Sequence, residues 1–251
     1  MVRRSAALLG VFAVLFAYDE VAQHLWRQGV WWDVAWIAIV LMPATFGLVL
    51  IALPLSRSRW EELLPVGFAF AVLAAVLTIA HWNVPANFAR LAAASLLAWA
   101  FLRMFESLAQ VVLVSLVIPW IDALSVWRGP TKTLTSQHPH VFSVLSYAFP
   151  VPGKHAAANL GVPDLFFFAL FLATAKRFGL RVVPTWIGLV AGLGVTIALT
   201  VWWNLNGLPA LPGISVGFLL PNADLIWQRL RRQPRLGDGP QVPLGGTPDD
   251  V

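Results

Sequence analysis

Cysteine is absent from this 251-residue chain, and charged residues make up only 12% of it, against roughly 25% in an ordinary soluble domain. The first absence excludes disulfides, thiolate metal sites and a cysteine nucleophile. The second excludes a soluble globular protein, because so few polar side chains cannot clothe a water-facing surface. No His-Glu-x-x-His sequence occurs, which argues against a zinc protease. The formal charge is +5, yet no basic cluster lies outside loops and helix ends, so nucleic acid is not an expected partner. There is no repeat of fixed period.

What is present is apolar: 59% of residues are hydrophobic and the mean hydropathy is +0.74. Apolar spans fall at 5–24, 31–54, 63–82, 88–105, 107–127, 156–175, 182–203 and 209–228. Runs of this length need lipid around them, so the expected fold class is an all-α polytopic membrane protein of about eight transmembrane helices. The first run follows Arg3 and Arg4, lacks an A-x-A-like site and is followed by Tyr18-Asp19-Glu20, which reads as a retained helix. The segment 128–155 carries Gly, Pro, Ser, Thr and three His and reads as an extramembrane loop. The organisation is then N-terminal membrane helices over 1–106, a second membrane block over 107–232, and a disordered Pro/Gly/Asp-rich tail over 233–251.

Basic residues orient the chain. With eight crossings, one side collects Arg3, Arg4, Arg57, Arg59, Arg103, Lys176, Arg177, Arg181, Arg229, Arg231, Arg232 and Arg235, twelve of the 17 Lys and Arg. The other side has Arg27, Arg90, Arg128, Lys132 and Lys154. The positive-inside rule therefore puts both termini in the cytoplasm and the loop 128–155 outside. Many of the 13 Trp, among them Trp26, Trp31, Trp32, Trp202 and Trp203, sit at span ends and suit interfacial belts.

An ionised carboxylate at a span centre costs roughly 2.5–3.5 kcal/mol on insertion scales, so each intramembrane acid demands a reason. Asp33 lies beside Trp31 and Trp32 and reads as an interfacial anchor. Asp224 lies one turn from the cluster Arg229 to Arg232 and reads as an ion-paired or snorkelling residue. Asp122 and Asp164 differ. They lie on consecutive antiparallel spans, roughly 8 and 13 Å below the same face at 1.5 Å per residue, with no Lys or Arg at matching depth. Two carboxylates brought to about 3 Å cannot both ionise and would share a proton. Such a pair can run peptide hydrolysis, one member taking a proton from water and the other polarising the carbonyl. The same acids could instead be protonated and hydrogen-bond a neighbouring helix, or form a proton or cation relay in a transporter.

Three motifs occur in order. Asp122-Ala123-Leu124-Ser125-Val126-Trp127-Arg128 resembles the first catalytic-aspartate segment of presenilins and signal peptide peptidases. Leu160-Gly161-Val162-Pro163-Asp164 resembles their Gly-x-Gly-Asp motif, and Leu208-Pro209-Ala210-Leu211-Pro212 their Pro-Ala-Leu motif. The resemblance covers roughly 107–228. It implies a prokaryotic intramembrane aspartyl protease of the plasma membrane, needing no cofactor or metal, with Asp122 and Asp164 catalytic. It further implies transmembrane or signal-peptide substrates held by Gly161, Pro209, Ala210, Leu211 and Pro212, and a signal-peptide-peptidase-like orientation. Three departures stand out. Ile121 replaces a Tyr, Pro163 replaces the second Gly, and the family usually has nine helices. The two replacements raise a second implication, a pseudoenzyme that binds membrane peptides without cutting them.

Prolines 209 and 212 lack N–H groups, which leaves the Ala210 and Leu211 amides unpaired within their own helix; a substrate strand is expected to pair with them. Gly213-Ile214-Ser215-Val216-Gly217 fits the letters of a nucleophile elbow, but its frame is a membrane helix and small residues for helix packing explain it better. His138, His140 and His155 share the loop at a spacing poorly suited to a metal. His81, beside Trp82, reads as an interfacial side chain.

Overall fold

The structure, a computed structural model, describes residues 2–128, 146–205 and 207–232. The expected tail, and the part of the loop that carries His138 and His140, lie outside the described residues. The chain is mostly helical. In order come α1 (Val2–Val21), α2 (Val30–Trp36), a π-helical stretch (Ile37–Leu41), α3 (Met42–Ala52), α4 (Trp60–Ile79), α5 (Asn83–Phe101) and α6 (Leu108–Arg128). Two strands follow, β1 (Ser146–Pro150) and β2 (Ala157–Gly161), then α7 (Val162–Arg177), α8 (Val182–Trp202), α9 (Leu211–Leu219) and α10 (Ala223–Arg232). Among the described residues, six helical stretches are long and apolar enough to cross a membrane: Arg3–His24, Val30–Arg57, Trp60–Ile79, Asn83–Met104, Leu108–Ser125 and Val182–Trp202. This is a polytopic helical membrane protein.

The π-helical stretch has a local cause. Pro43 has no N–H to give the Ile39 carbonyl and its ring presses on it, so the helix widens by one residue just ahead of the proline.

Two of the expected spans take another form. The run 156–175 begins as a strand, because Pro163 is tolerated only in the first turn of a helix and α7 therefore cannot extend backwards through Asn159. The run 209–228 holds only nine residues of apolar helix before a 3-10 turn at Leu220–Asn222, where Pro221 interrupts the hydrogen-bond ladder. Beyond it α10 is amphipathic and carries Arg229 and Arg231. The loop is also more ordered at its end than a plain loop, since residues 146–161 form an antiparallel hairpin with Tyr147 opposite Leu160 and Phe149 opposite Ala158.

Helix α7 is the centre of the molecule. Leu165 and every residue from Phe168 to Ala173 are at most 1% exposed. Phe168 stacks on Phe46 of α3 with ring centroids 3.9 Å apart, and Phe171 stacks on Phe218 of α9 at 4.8 Å. Such aromatic pairs contribute about 1 kcal/mol each beyond the area they bury. Being surrounded by protein, α7 can be shorter than a lipid-facing span.

The glycines of Gly213-Ile214-Ser215-Val216-Gly217 serve helix packing. A Cβ on Gly213 would stand 2.6 Å from the Gly192 carbonyl oxygen, and one on Gly217 would fall on the Gly188 carbonyl. Glycines four apart on α8 thus face glycines four apart on α9, and the two backbones touch. Ser215 is buried, with no hydrogen-bond partner on its hydroxyl, and has none of the strand-turn-helix setting of a nucleophile.

Candidate functional site

The hairpin is fixed from behind. Asn87 of α5 donates to the Ala148 carbonyl at 3.1 Å and accepts from the Ala148 N–H at 3.2 Å, acting as a third strand for β1. Arg90, 9% exposed, donates to the Ser146 carbonyl at 2.9 Å, to Asn87 Oδ1 at 3.0 Å and to Thr78 Oγ1 at 2.7 Å. At the turn, Gly153 adopts φ 67°, its N–H donates to the Ala22 carbonyl at 2.8 Å, and a Cβ there would collide with the Leu25 carbonyl at 2.6 Å. Only glycine fits this place. Arg27 donates to the Gly153 carbonyl at 3.1 Å, and Lys154 pairs with Asp33 at 2.5 Å. Asp33 is therefore 5% exposed and ion-paired to the hairpin, instead of an anchor among head groups. Asp224 likewise pairs with Arg181, at 2.7 and 2.8 Å, and among the described side chains not with Arg229 or Arg231.

Because Asn87 occupies both polar groups of Ala148, the ladder between the strands runs through Tyr147, Phe149 and Val151. The bond from the Val151 N–H to the Ala156 carbonyl, 3.2 Å, has the same phase. Ala157, Asn159 and Gly161 consequently turn their N–H and C=O groups to the outer edge of β2. Gly161 spends its N–H on Asp164 Oδ2 at 3.1 Å. Asn159 and Ala157 are exposed.

Asp164 is the third residue of α7, and its bond to the Gly161 N–H caps that helix. Pro163 occupies the second helical position, as its fixed φ allows. Asp122 follows Pro119 by three residues on α6. Its Oδ2 accepts the Leu211 N–H at 3.0 Å, and the Ala210 N–H also points to the carboxylate. The Leu211 amide, expected to be open for a substrate strand, is thus already taken: Asp122 caps α9 from another helix and meets its positive dipole end. Asp122 lies close enough to Asp164 for its charge to act on that carboxyl. Both acids are half-buried, and among the described residues neither makes an ion pair. Beside Asp122, Ile121 and Leu124 are 54% and 60% exposed, so α6 turns this side outward.

Three segments far apart in sequence therefore meet: Asp122, Gly161 to Asp164, and Ala210-Leu211. Pro209 and Pro212 flank the last. The described residues hold no group of three metal-ligating side chains, and His155 is exposed. Sequence reasoning missed Asn87 and Arg90, and read Arg90 only as a charge setting topology. An arginine inside an Ala-rich span was the available signal, since a buried cation needs acceptors around it. Asn87→Leu is expected to lower stability by about 2 kcal/mol or more, because both Ala148 groups lose their partner; thermal unfolding in detergent measures this, and limited proteolysis should find the hairpin newly accessible.

The chain matches no protein-family model and no curated protein.

Proposed function

We propose that this protein is an intramembrane aspartyl protease that hydrolyses peptide bonds in or next to transmembrane segments. The observation carrying this reading is that Asp122 and Asp164 lie within electrostatic range of each other at the α6, α7 and α9 junction, each held by a backbone N–H and, among the described residues, neither paired with a cation. The similarity of the three surrounding motifs to presenilins and signal peptide peptidases supports it further. In this reading the pair shares one proton. The carboxylate takes a proton from water as its oxygen attacks the scissile carbonyl, while the carboxylic acid donates to the carbonyl oxygen. The resulting tetrahedral diol collapses as the carboxylate takes the proton of one hydroxyl and the carboxylic acid passes its own to the departing amine nitrogen, which restores the singly protonated pair.

Substrate presentation follows from β2. A transmembrane helix keeps its peptide bonds inside its own hydrogen-bond ladder and must be unwound before cleavage. The outer edge of β2 offers, at Ala157 and Asn159, backbone groups that no described residue pairs, in a strand that ends at Gly161, three residues from Asp164, and an extended substrate strand can pair there. Pro209 and Pro212 flank the Leu211 amide that holds Asp122, at the start of α9. The exposed side of α6 gives lateral entry from lipid. Eight crossings, cytoplasmic termini and the plasma membrane of a prokaryote complete the proposal. A non-cleaving peptide-binding relative is favoured by one observation, that each acid also caps a helix.

Purified protein in bilayers, given a single-span model peptide, is expected to cut it within or beside the membrane. The rate should fall on both sides of a pH maximum, because only the singly protonated pair works. An aspartic-protease transition-state mimic with a hydroxyl at the scissile position should block it. Capture of the peptide with no cleavage at any pH would select the binding reading.

A further inference from the structure

Six cations from four separate elements gather on one face of the molecule. They are Arg4 in α1, Arg57 and Arg59 in the turn between α3 and α4, Arg103 after α5, and Lys176 and Arg177 at the end of α7. Arg103 reaches the Ser56 and Ser58 carbonyls at 3.1 and 2.8 Å, Lys176 the Leu53 carbonyl at 3.1 Å, and Arg177 the Leu102 carbonyl. These bonds tie three helix turns together and bring the charges into mutual range: Arg57 and Arg4 repel Lys176, and Arg103 repels Arg177. Carbonyl groups accept hydrogen bonds without cancelling charge. Among the described residues the only ion pairs are Lys154–Asp33 and Arg181–Asp224, both elsewhere.

Arg57, Arg59, Trp60, Glu61 and Arg103 line a cleft of about 330 Å³ in this cluster. Arg57 and Arg59 are exposed, and among the described residues no hydrogen bond occupies their guanidinium groups. The cleft stands where one candidate span ends, at Arg57, and the next begins, at Trp60, the level of lipid phosphates. We propose that it binds the phosphate of an anionic phospholipid head group. Two forked guanidinium groups suit phosphate oxygens, and a basic pocket between helix ends is the geometry that retains such lipids. The half-exposed Trp60 ring borders the acyl region beside it. This site is independent of the carboxyl pair.

The test uses the full chain in zwitterionic detergent, with short-chain phosphatidylglycerol, phosphatidylcholine of the same chains, and inorganic phosphate as probes. Native mass spectrometry and tryptophan fluorescence report binding. Saturable one-to-one binding of phosphatidylglycerol alone is expected. Arg57→Gln/Arg59→Gln should weaken it about 30-fold, at roughly fivefold per charge. Arg231→Gln, on the same face but on α10, should leave it unchanged. Equal weakening by Arg231→Gln would reduce the effect to a diffuse positive surface and overturn the site. Equal binding of phosphatidylcholine, or of inorganic phosphate at the same concentration, would overturn the assignment to an anionic lipid. The substituted side chains are exposed, so the variants should fold, and an unchanged elution profile checks this.

Discussion

Asp164→Asn should lower peptide cleavage by about 10³-fold, the middle of the range for loss of a general acid or base, with little change in stability. The amide oxygen of asparagine can still accept the Gly161 N–H that Asp164 now holds at 3.1 Å, so the α7 cap survives while the titrating group is lost. Asp122→Asn should act in the same way, since it can still accept the Leu211 N–H. Alanine at either position removes the cap as well, and should add a stability loss of about 1 kcal/mol. The comparison separates chemistry from architecture. Turnover lost in the Asn variants, with unfolding temperatures unchanged, places the acids in the reaction. Full turnover in either Asn variant refutes the dyad, and a stability loss confined to the Ala variants then leaves the acids as caps only.

The second large effect is expected at the crossing of α8 and α9. Gly213→Val sets a branched side chain where even a Cβ is 2.6 Å from the Gly192 carbonyl oxygen and 2.8 Å from Thr196 Oγ1. The obstacle is mostly backbone, so neither helix can yield by turning a rotamer. Overpacking of this kind costs about 1–3 kcal/mol even in cores that can adjust. Here the helices must separate, and Leu211, two residues before Gly213, moves with α9 away from Asp122. Thermal unfolding should shift downwards and cleavage should fall together with it. Gly10→Ala, with open space around it, should change neither. A Gly213→Val protein as stable and active as the parent would show that the close crossing is dispensable.

Apolar run length and Pro placement made most of the helices legible, since lipid leaves the chain few other solutions. The helix starts lie at Val162 and Leu211, later than the expected 156 and 209, because Pro163 and Pro212 are tolerated only near a first turn. The hairpin was not legible. Its strands are five residues each and one of them, Ala157–Gly161, is apolar enough to pass for the head of a span. What makes it a strand is partnership with β1, which in turn depends on Asn87 and Arg90 from a helix inserted much earlier. Pairing between distant residues leaves no periodic trace. The partners of Asp33 and Asp224 were missed for the same reason: proximity in sequence pointed to Trp31 and to Arg229, while the fold supplied Lys154 and Arg181. The candidate acids themselves could be picked out because a lone carboxylate within lipid stands out against its surroundings. Their second role as helix caps could not be foreseen without knowing which helix end each one meets.

The bond from Leu211 to Asp122 also bears on biosynthesis. A ribosome delivers Asp122 to the bilayer about ninety residues before the amide that holds it in the finished fold, so a nascent chain carries one acid without its partner strand and without its anchor. Both carboxyls are present once Asp164 has been made, but the amide that holds Asp122 follows only at Leu211. In the proposed protease the finished geometry of the pair is therefore withheld until the start of α9 has entered the bilayer.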